Sequence, residues 1–372
     1  MELIEPFLAM EIMERALELE RQGARIVHFE LGEPDFPPPP AASEACVAAL
    51  QAGETRYTDS RGLAELREAI AADHERRWGV RVSADRVLVT SGTSLAMSLV
   101  FSLLVGPGDE VILPAPHYPC YPGLVRVAGG VPVAVATRAE DAYRIDVDAV
   151  KLAVTPRTRA IVVASPSNPT GAVQTIGTLQ GLVDLGIPIV SDEIYSGLVY
   201  AGGECSASGL GDEVFVLDGF SKRYAMTGFR LGYVIAPELA VRPLQTLAQN
   251  LFICANPFVQ RAGIAALERG AETTTRMREI YARRRLTMLE GLRQLGMIVP
   301  SEPAGAFYIF ADARAFGSDS RALAFDLLER ASVAVTPGID FGEVGEGWLR
   351  FSYAASDEDI RLGLQRLAGA LR

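Results

Sequence analysis

The stretch "VFVLDGFSKRYAMTGFRLGYVIAP", residues 214–237, contains two apolar runs that flank a polar segment. Continuous apolar runs, unlike alternating ones, are typical of strands whose two faces are both covered. The runs 214–219 and 232–237 are therefore predicted to be buried strands. In open α/β sheets, ligands bind beyond the ends of such strands, so the polar segment that follows the first run is the place to look for chemistry.

Further runs of the same kind lie upstream and are separated by helical patterns. They predict a mostly parallel, doubly wound α/β sheet of seven strands between helices. The upstream runs are 86–90, 110–114, 131–136, 159–165 and 187–192. The Pro-rich stretch 35–40 is predicted to be a stiff linker. A long helical pattern at 261–296 is expected to lead the chain out of the sheet into a smaller α+β unit.

The composition excludes several classes of function. The chain of 372 residues has a net charge of −11, which argues against nucleic acid or an anionic membrane as its main partner. The N-terminal stretch lacks a basic region, and no apolar run reaches the ~18–20 residues of a membrane span. Four scattered cysteines indicate free thiols in a reducing compartment, and the three histidines form no metal motif. We expect a cytoplasmic protein without a metal.

Lysine is rare in this chain, and one of its two lysines lies in the polar segment. Of 35 basic residues, only Lys151 and Lys222 are lysines. Lys151 lies in a helical pattern and is predicted to be a surface residue. Lys222 follows a predicted buried strand, and a lysine, unlike an arginine, can become neutral and form an imine with an aldehyde. The sequence therefore predicts a reactive lysine at position 222.

Polar residues follow other predicted strands as well, and each has a structural alternative. The turn "SGTS" (91–94) before a helical pattern predicts an anion cup, or simply a capped helix. Asp192 in "SDEIY" is predicted to be a buried carboxylate that needs a positive partner, or a helix cap. Asn168 in "SPSNPTG" is predicted to present its side-chain amide to a ligand, or only to form part of a turn that Asn-Pro-Thr-Gly favours. Arg230 is a fixed cation that could meet an anion in the cup.

Eight segments, in order along nearly the whole chain, resemble the class I and II aminotransferases, which are fold-type-I enzymes that use pyridoxal 5′-phosphate. They are "LGEPDF" (31–36), "YTDSRGLAELREAI" (57–70), "SGTS" (91–94), "PHYPCYP" (116–122), "SPSNPTG" (165–171), "SDEIY" (191–195), "FSKRYAMTGFRLGY" (220–233) and "WLRFSYA" (348–354). The resemblance implies that residues 45–270 form a large cofactor-binding domain. Residues 1–44 and 271–372 are then expected to form the small domain.

The resemblance also implies the catalytic roles. Lys222 is expected to form the internal aldimine and then to move the proton between the substrate Cα and the cofactor C4′. Asp192 is expected to keep the pyridine nitrogen protonated, which makes the ring an electron sink. Tyr195 and Asn168 are expected to hydrogen-bond the 3′ oxygen of the ring, and Tyr118 to stack on its face.

Two further groups of residues are implied for the ends of the cofactor and of the substrate. The phosphate is expected to contact Gly92, Thr93, Ser94 and Arg230, together with Tyr57 of the partner subunit in a homodimer. Arg350 is expected to pair with the substrate α-carboxylate, near the backbone of Gly32 and near Asn168. Three aromatic residues are candidates for the substrate side-chain pocket, although aromatic residues are more often core. They are Phe7, Phe307 and Tyr308.

The chain departs from the family pattern at two points. Many relatives have a phosphate-contacting serine three residues before the lysine, where this chain has Gly219, so that contact is absent or is made by Ser221. Relatives specific for dicarboxylic substrates use a further arginine from the partner subunit for the side-chain carboxylate, and the sequence does not identify that arginine among so many.

The predicted function is an aminotransferase that moves an amino group between an L-amino acid and a 2-oxo acid, through a pyridoxamine phosphate intermediate. A pyridoxal-phosphate-dependent carbon–sulfur β-lyase is the alternative, because it would use the same lysine, aspartate and phosphate residues. A ligand-sensing module of a regulator is disfavoured, because no basic helix-turn-helix segment precedes the motifs.

Overall fold

The computed structural model describes residue 4 and residues 6–371. Within this part of the chain the α-helices are α1 (Leu8–Arg21), α2 (Pro40–Gln51), α3 (Ala64–Trp78), α4 (Thr93–Leu104), α5 (Cys120–Val127), α6 (Val147–Ala153), α7 (Ile176–Val183), α8 (Glu238–Leu251), α9 (Pro257–Arg269), α10 (Ala271–Gln294), α11 (Ser320–Ala331) and α12 (Asp357–Ala370). The strands are β1 (Val27–His28), β2 (Val87–Thr90), β3 (Glu110–Ala115), β4 (Val131–Ala136), β5 (Thr158–Ala164), β6 (Ile189–Asp192), β7 (Val214–Gly219), β8 (Gly232–Ile235), β9 (Tyr308–Asp312), β10 (Val333–Ala334), β11 (Thr336–Pro337) and β12 (Trp348–Ser352).

The predicted seven-stranded α/β sheet is confirmed. Its order is β2-β8-β7-β6-β5-β3-β4, and each strand coincides with one of the seven apolar runs. Helices cover both faces of the sheet. Alternate residues of a strand therefore pack into different cores. Val89 and Val216 pack into one core, and Leu88 and Leu217 pack into the other. Residues of the interior strands β6, β7 and β8 are therefore buried along their whole length, as continuous apolar runs require.

One strand of this sheet runs against the others. β8 is antiparallel to both of its neighbours, β2 and β7, whereas the remaining pairs are parallel. Gly232, the first residue of β8, pairs with Thr90 at the end of β2 and with Gly219 at the end of β7. The residues before β8 therefore lie at the same sheet edge as the residues that follow β2 and β7.

The N-terminal and C-terminal segments pack together beside the large sheet. β1 pairs in parallel with β10, and β11-β12-β9 form a second, antiparallel sheet. A third core joins α1, β1 and these C-terminal strands, with Ile12, Phe29 and Phe351 fully buried in it. The helical pattern at 261–296 is two helices, not one, because the chain bends at Gly270 between α9 and α10.

No helix in the described part of the chain combines the length and the apolar character needed to cross a membrane.

Candidate active site

A cavity of about 240 Å³ opens at the edge of the large sheet where β5, β6 and β7 end. Its lining comes from the ends of these strands and the segments that follow them, from the segments after β2 and β3, from β9 and β12, and from the start of α1 and the loop after β1. Most of the residues predicted for the site line it: Gly32, Thr93, Ser94, Tyr118, Asn168, Asp192, Tyr195, Ser221, Lys222, Arg230 and Arg350. The strand ends therefore bring together side chains that are far apart in the sequence.

Lys222 lies in this cavity, three residues beyond the end of β7. Its Nζ donates a hydrogen bond of 2.5 Å to the backbone oxygen of Gly32. Burial lowers the pKa of Lys222 to about 8, and the nearby Glu33 carboxylate only partly opposes this effect. A sizeable fraction of this amine is therefore neutral near physiological pH and able to attack an aldehyde.

Asp192 ends β6 and is buried beside this lysine, but its hydrogen-bond partner differs from the prediction. Instead of a cation, the phenol of Tyr121 donates to Oδ2, and the backbone N–H of Ile194 donates to Oδ1. Burial raises the pKa of Asp192, while these two donors and the charge of Lys222 lower it. A protonated ring nitrogen facing Asp192 would further favour the ionised form of this carboxyl group.

Tyr195 and Asn168 both line the cavity. The hydroxyl groups of Tyr195 and Tyr308 lie 2.7 Å apart, so Tyr195 is positioned by another phenol and not by Asp192. Burial raises the pKa of Tyr195 well above its usual range. Oδ1 of Asn168 accepts a hydrogen bond of 3.0 Å from Nη1 of Arg350, which links the two residues.

Arg350 lies in the middle of β12 and is almost completely buried. Besides Asn168, its guanidinium donates to the backbone oxygen of Glu30 and, at 2.9 Å, to Oγ1 of Thr336. Its charge also lies over the ring of Tyr308, with Cζ 4.4 Å from the ring centroid. Nε is buried without a partner among the described residues. A buried donor without a partner next to a cavity is what a carboxylate ligand would satisfy.

The predicted anion cup lies at the first turn of α4. Gly92 precedes this helix with φ +90°, and a Cβ there would lie 2.6 Å from Nη2 of Arg230. Only glycine therefore allows the guanidinium of Arg230 to lie against the start of the helix. The N-terminus of α4, the hydroxyl groups of Thr93 and Ser94, and Arg230 together favour a phosphate.

Some residues singled out in the sequence lie elsewhere. Tyr57 is 79% exposed and is not part of the cavity lining of this chain. Gly92 contacts the cavity through Arg230, and Phe307 is fully buried in the C-terminal core. A Cβ at Gly219 would lie 2.9 Å from the backbone oxygen of Leu231, which leaves no room for the serine of relatives. Ser221 lines the cavity and offers the hydroxyl group that Gly219 lacks.

Sequence reasoning missed several lining residues. Tyr121 was part of the quoted segment "PHYPCYP", but its link to Asp192 depends on strand order. The others are Ala164, Pro166 and Ile194 near the ends of β5 and β6, and four residues of the N-terminal segment, of which only Leu31 lies in a quoted motif, "LGEPDF": Ala9, Met10, Glu30 and Leu31. The cavity thus combines an aldehyde-reactive amine, a buried carboxylate, an anion cup and an arginine with a free donor.

These residues fit the chemistry of pyridoxal phosphate. The anion cup matches a phosphate, Lys222 matches an aldehyde, and Asp192 matches a ring nitrogen. The unpartnered Nε of Arg350 remains for a carboxylate of the substrate.

Comparison with known proteins gives a consistent result. The family model described as aminotransferase class I and II matches residues 24–367. The aspartate/prephenate aminotransferase of Thermus thermophilus is 39% identical over 376 residues, which cover 99% of this chain and 97% of the relative. The (5-formylfuran-3-yl)methyl phosphate transaminase of Methanocaldococcus jannaschii is 38% identical over 369 residues, 98% of this chain and 96% of the relative. Among solved structures, the aspartate aminotransferase from Thermus thermophilus with maleate matches with a TM-score of 0.95 at 38% identity, covering 99% of this chain and 98% of that chain.

Proposed function

The chain belongs to the class I and II aminotransferases, and from this premise we propose how its own residues carry out transamination. The transaminase names of its relatives favour transamination over the β-lyase reaction that the sequence left open. We propose that the enzyme exchanges an amino group between an L-amino acid and a 2-oxo acid. When bound, pyridoxal phosphate supplies an aldehyde that exchanges with amino groups and a ring that withdraws electrons from the reacting carbon.

Lys222 is the catalytic base in this proposal. The observation that carries the assignment is the position of Lys222 inside the cavity that also contains Asp192 and Arg350, where burial lowers its pKa to about 8. Its neutral amine would hold the cofactor through the aldehyde and, once the substrate amino group has replaced it there, would be free to take a proton from the substrate Cα. Lys151, the other lysine, is exposed on α6 and has no such surroundings.

Four side chains would hold the cofactor ring. Asp192, buried and hydrogen-bonded by Tyr121, would face the ring nitrogen and keep it protonated. Tyr195 and Asn168 would bind the 3′ oxygen, and Tyr118 would pack on the ring face. These assignments are supported by the shared cavity, which these four cofactor-binding side chains and Tyr121 all line.

The phosphate would bind at the start of α4. Gly92, Thr93, Ser94 and Arg230 form the anion cup, and Ser221 offers a hydroxyl group in the same cavity. The positive end of the helix and the guanidinium both favour a dianion there.

Arg350 would orient the substrate. Its buried Nε has no acceptor among the described residues, and hydrogen bonds from Nη1 to Asn168 and from Nη2 to Glu30 and Thr336 hold the guanidinium in place. A carboxylate bound there, near the backbone of Gly32, would present its Cα–H to Lys222.

We also propose a homodimer in which Tyr57 of the partner subunit completes the phosphate site. Tyr57 of this chain is exposed and outside its own cavity, which supports a role for it across an interface. A large domain of residues 45–270 and a small domain of 1–44 and 271–372 are supported by the pairing of β1 with β10. Residues 1–3, 5 and 372 of the small domain lie outside the described residues. The four free thiols suit a cytoplasmic enzyme.

The test compares the absorption spectra of the wild type, Lys222→Ala and the matched control Lys151→Ala, each with pyridoxal phosphate. We expect a shifted cofactor band in the wild type and in Lys151→Ala, and none in Lys222→Ala. Borohydride reduction followed by peptide mass analysis should locate the cofactor on residue 222.

Addition of an amino acid should then change the band, and a 2-oxo acid should restore it. Release of pyruvate and ammonia in place of this reversible change would favour the β-lyase reaction. A band that persists in Lys222→Ala would refute the assignment of the lysine.

A further inference from the structure

A buried ion pair next to Lys222 has no part in the proposed chemistry. Lys222 lines the cavity, whereas Arg223, the next residue, is not among the described residues of the lining. The side chain of Arg223 is only 14% exposed, and its Nη1 donates a hydrogen bond of 2.8 Å to Oδ2 of Asp73. Asp73 lies on α3 and is almost completely buried. The ion pair therefore fastens the residue after the lysine to α3.

The same helix also contacts the chain before the lysine. Arg77 lies one turn after Asp73 on the same face of α3. Its Nη1 lies between two carboxyl groups, 3.6 Å from Oδ2 of Asp73 and 3.8 Å from Oδ2 of Asp218. Asp218 is the last residue but one of β7, and its Oδ1 accepts a hydrogen bond of 2.6 Å from the backbone N–H of Gly219. One face of α3 thus holds the chain four residues before Lys222 and one residue after it.

The stem of Arg223 packs against the turn that follows Tyr195. A Cβ at Gly197 in this turn, where φ is +88°, would lie 3.0 Å from Cδ of Arg223. Nη2 of Arg77 donates a hydrogen bond to Oγ of Ser196 in the same turn. The segment of the lysine and the segment of Tyr195 are therefore tied to each other outside the cavity lining.

A buried ion pair of this kind restricts position more than it stabilises a fold. Burial alone would raise the pKa of Asp73, but the nearby arginines, Arg223 first, outweigh burial and lower this pKa. Compared with apolar groups of the same volume, a buried pair contributes little net stability. It confines both partners to one arrangement, because any departure leaves a buried charge without its partner. The pair is therefore suited to holding the lysine segment in one place.

We propose that Asp73 and Arg223 are positioning residues, whose ion pair holds the amine of Lys222 within reach of the cofactor aldehyde and of the substrate Cα. The inference rests on the proposed function, in which Lys222 is the base. Neither positioning residue is among the described residues of the cavity lining, so each acts through the backbone next to the lysine. Misplacement of a catalytic group by about 1 Å lowers a rate by roughly 100-fold.

Four variants separate this ion pair from the other contacts of Asp73. Arg223→Met removes the cation and keeps an apolar stem, and Asp73→Asn removes the carboxylate charge and keeps the shape of the side chain. Arg76→Met is the matched control, because Arg76 also pairs with Asp73, but through Oδ1 and with a side chain that is 58% exposed. Arg223→Lys is the conservative variant, since the hydrogen bond to Asp73 is made through one nitrogen, Nη1.

The first experiment uses the apoenzyme and measures the pH midpoint for acylation of Lys222 by acetic anhydride. Arg223→Met and Asp73→Asn should both raise this midpoint from about 8 toward 10.5, by about one pH unit or more, because a released amine is better hydrated. Arg76→Met and Arg223→Lys should change it little. The variants leave in place the charged groups that surround the amine, which are Glu33, Asp192, Arg230 and Arg350.

The sign of the shift separates position from charge. Loss of the Asp73 charge acting through space would lower the pKa of a nearby amine, whereas loss of position raises it. Asp73→Asn is therefore decisive even if Arg223→Met does not fold. A lowered or unchanged midpoint in Asp73→Asn would overturn the inference, and so would an equal rise in Arg76→Met.

The second experiment follows the half-reaction of the holoenzyme, saturated with cofactor, with the amino acid that reacts fastest with the wild type. Arg223→Met should lower the maximal rate about 10- to 100-fold and leave the Kd of the amino acid nearly unchanged, because Arg350 is not disturbed. Arg223→Lys should recover most of this rate. A failure of Arg223→Lys to do so, or an equal fall in Arg76→Met, would contradict a positioning role.

The two experiments distinguish failure of the inference from failure of the proposed function. If no amino acid changes the cofactor spectrum of the wild type, the proposed function fails. The acylation midpoints of the apoenzyme still decide whether the pair of Asp73 and Arg223 positions Lys222.

Discussion

The phenol of Tyr121 donates a hydrogen bond of 2.6 Å to Oδ2 of Asp192. Both groups are buried, and burial raises the pKa of Asp192 while this hydrogen bond opposes the rise. Tyr121 therefore helps to keep Asp192 ionised without contributing a charge of its own. We infer that Tyr121 is a positioning residue for the carboxylate proposed to face the cofactor ring nitrogen.

Tyr121→Phe should weaken pyridoxal phosphate binding about 10- to 100-fold, because a hydrogen bond to a charged group contributes roughly 1.5–3 kcal/mol. Without the phenol, the pKa of Asp192 rises further, so more of the carboxyl is protonated at low pH. The loss of affinity should therefore be largest near pH 6 and smaller near pH 9. Titration of the apoenzyme with cofactor across this range measures it.

Tyr143→Phe is the matched control for this substitution. Tyr143 is also a buried tyrosine, and its hydroxyl group has no partner among the described residues. Removal of that hydroxyl group should leave cofactor affinity unchanged at every pH. A similar loss in both variants would show that the effect comes from general repacking and not from Asp192.

This hydrogen bond also shows where sequence reasoning stopped. The seven strands could be predicted, because interior strands covered on both faces must be continuously apolar. Lys222 and Asp192 could be found as polar residues that follow such strands. Tyr121 could not be linked to Asp192, because that contact depends on β3 and β6 both lying beside β5, and local patterns do not encode strand order.

The way the N-terminal segment is held at the cavity could not be predicted for a related reason, although Phe7 and the segment "LGEPDF" were singled out in the sequence. β1 and β10 have two residues each, which is too short for a periodic signal, so their pairing left no trace in the sequence. That pairing holds the N-terminal segment beside β12 and Arg350. Phe7 was noted as an aromatic candidate, but only its contact with Tyr118 indicates what it faces.

The lowered pKa of Lys222 gives a prediction for its reactivity. Because only the neutral amine is nucleophilic, acylation of Lys222 in the apoenzyme should rise with pH through a midpoint of about 8. Competitive labelling with acetic anhydride and peptide mass analysis measures this, with Lys151 in the same digest as the reference for changes in the reagent. A midpoint near the ordinary value of 10.5 would contradict the effect of burial.

Gly219→Ser, which restores the residue found in many relatives, should harm this enzyme. The new Cβ would lie 2.9 Å from the Leu231 oxygen and 3.0 Å from Gly232 Cα, which are backbone atoms just before and at the start of the paired strand β8. We expect a loss of about 1–3 kcal/mol in the free energy of unfolding, measured with urea, and no gain in cofactor affinity. Gly203→Ser is the control, because a Cβ at Gly203 meets no atom within 4 Å. Tighter cofactor binding without loss of stability in Gly219→Ser would refute this account.

Shared active sites can be tested with hybrid dimers of Tyr57→Ala and Lys222→Ala subunits, co-expressed with two different tags and purified on both. If Tyr57 acts across the interface, one site of the hybrid contains both substitutions and the other contains neither. The hybrid should then have about half of the wild-type activity, while each mutant homodimer has far less at limiting cofactor. If Tyr57 acts within its own subunit, each site of the hybrid carries one substitution, and its activity cannot exceed half that of the Tyr57→Ala homodimer. Recovery of activity thus requires both a dimer and a contribution of Tyr57 from each subunit to the site of the other. If the hybrid recovers no activity, the exposed Tyr57 side chain has some other role at the surface.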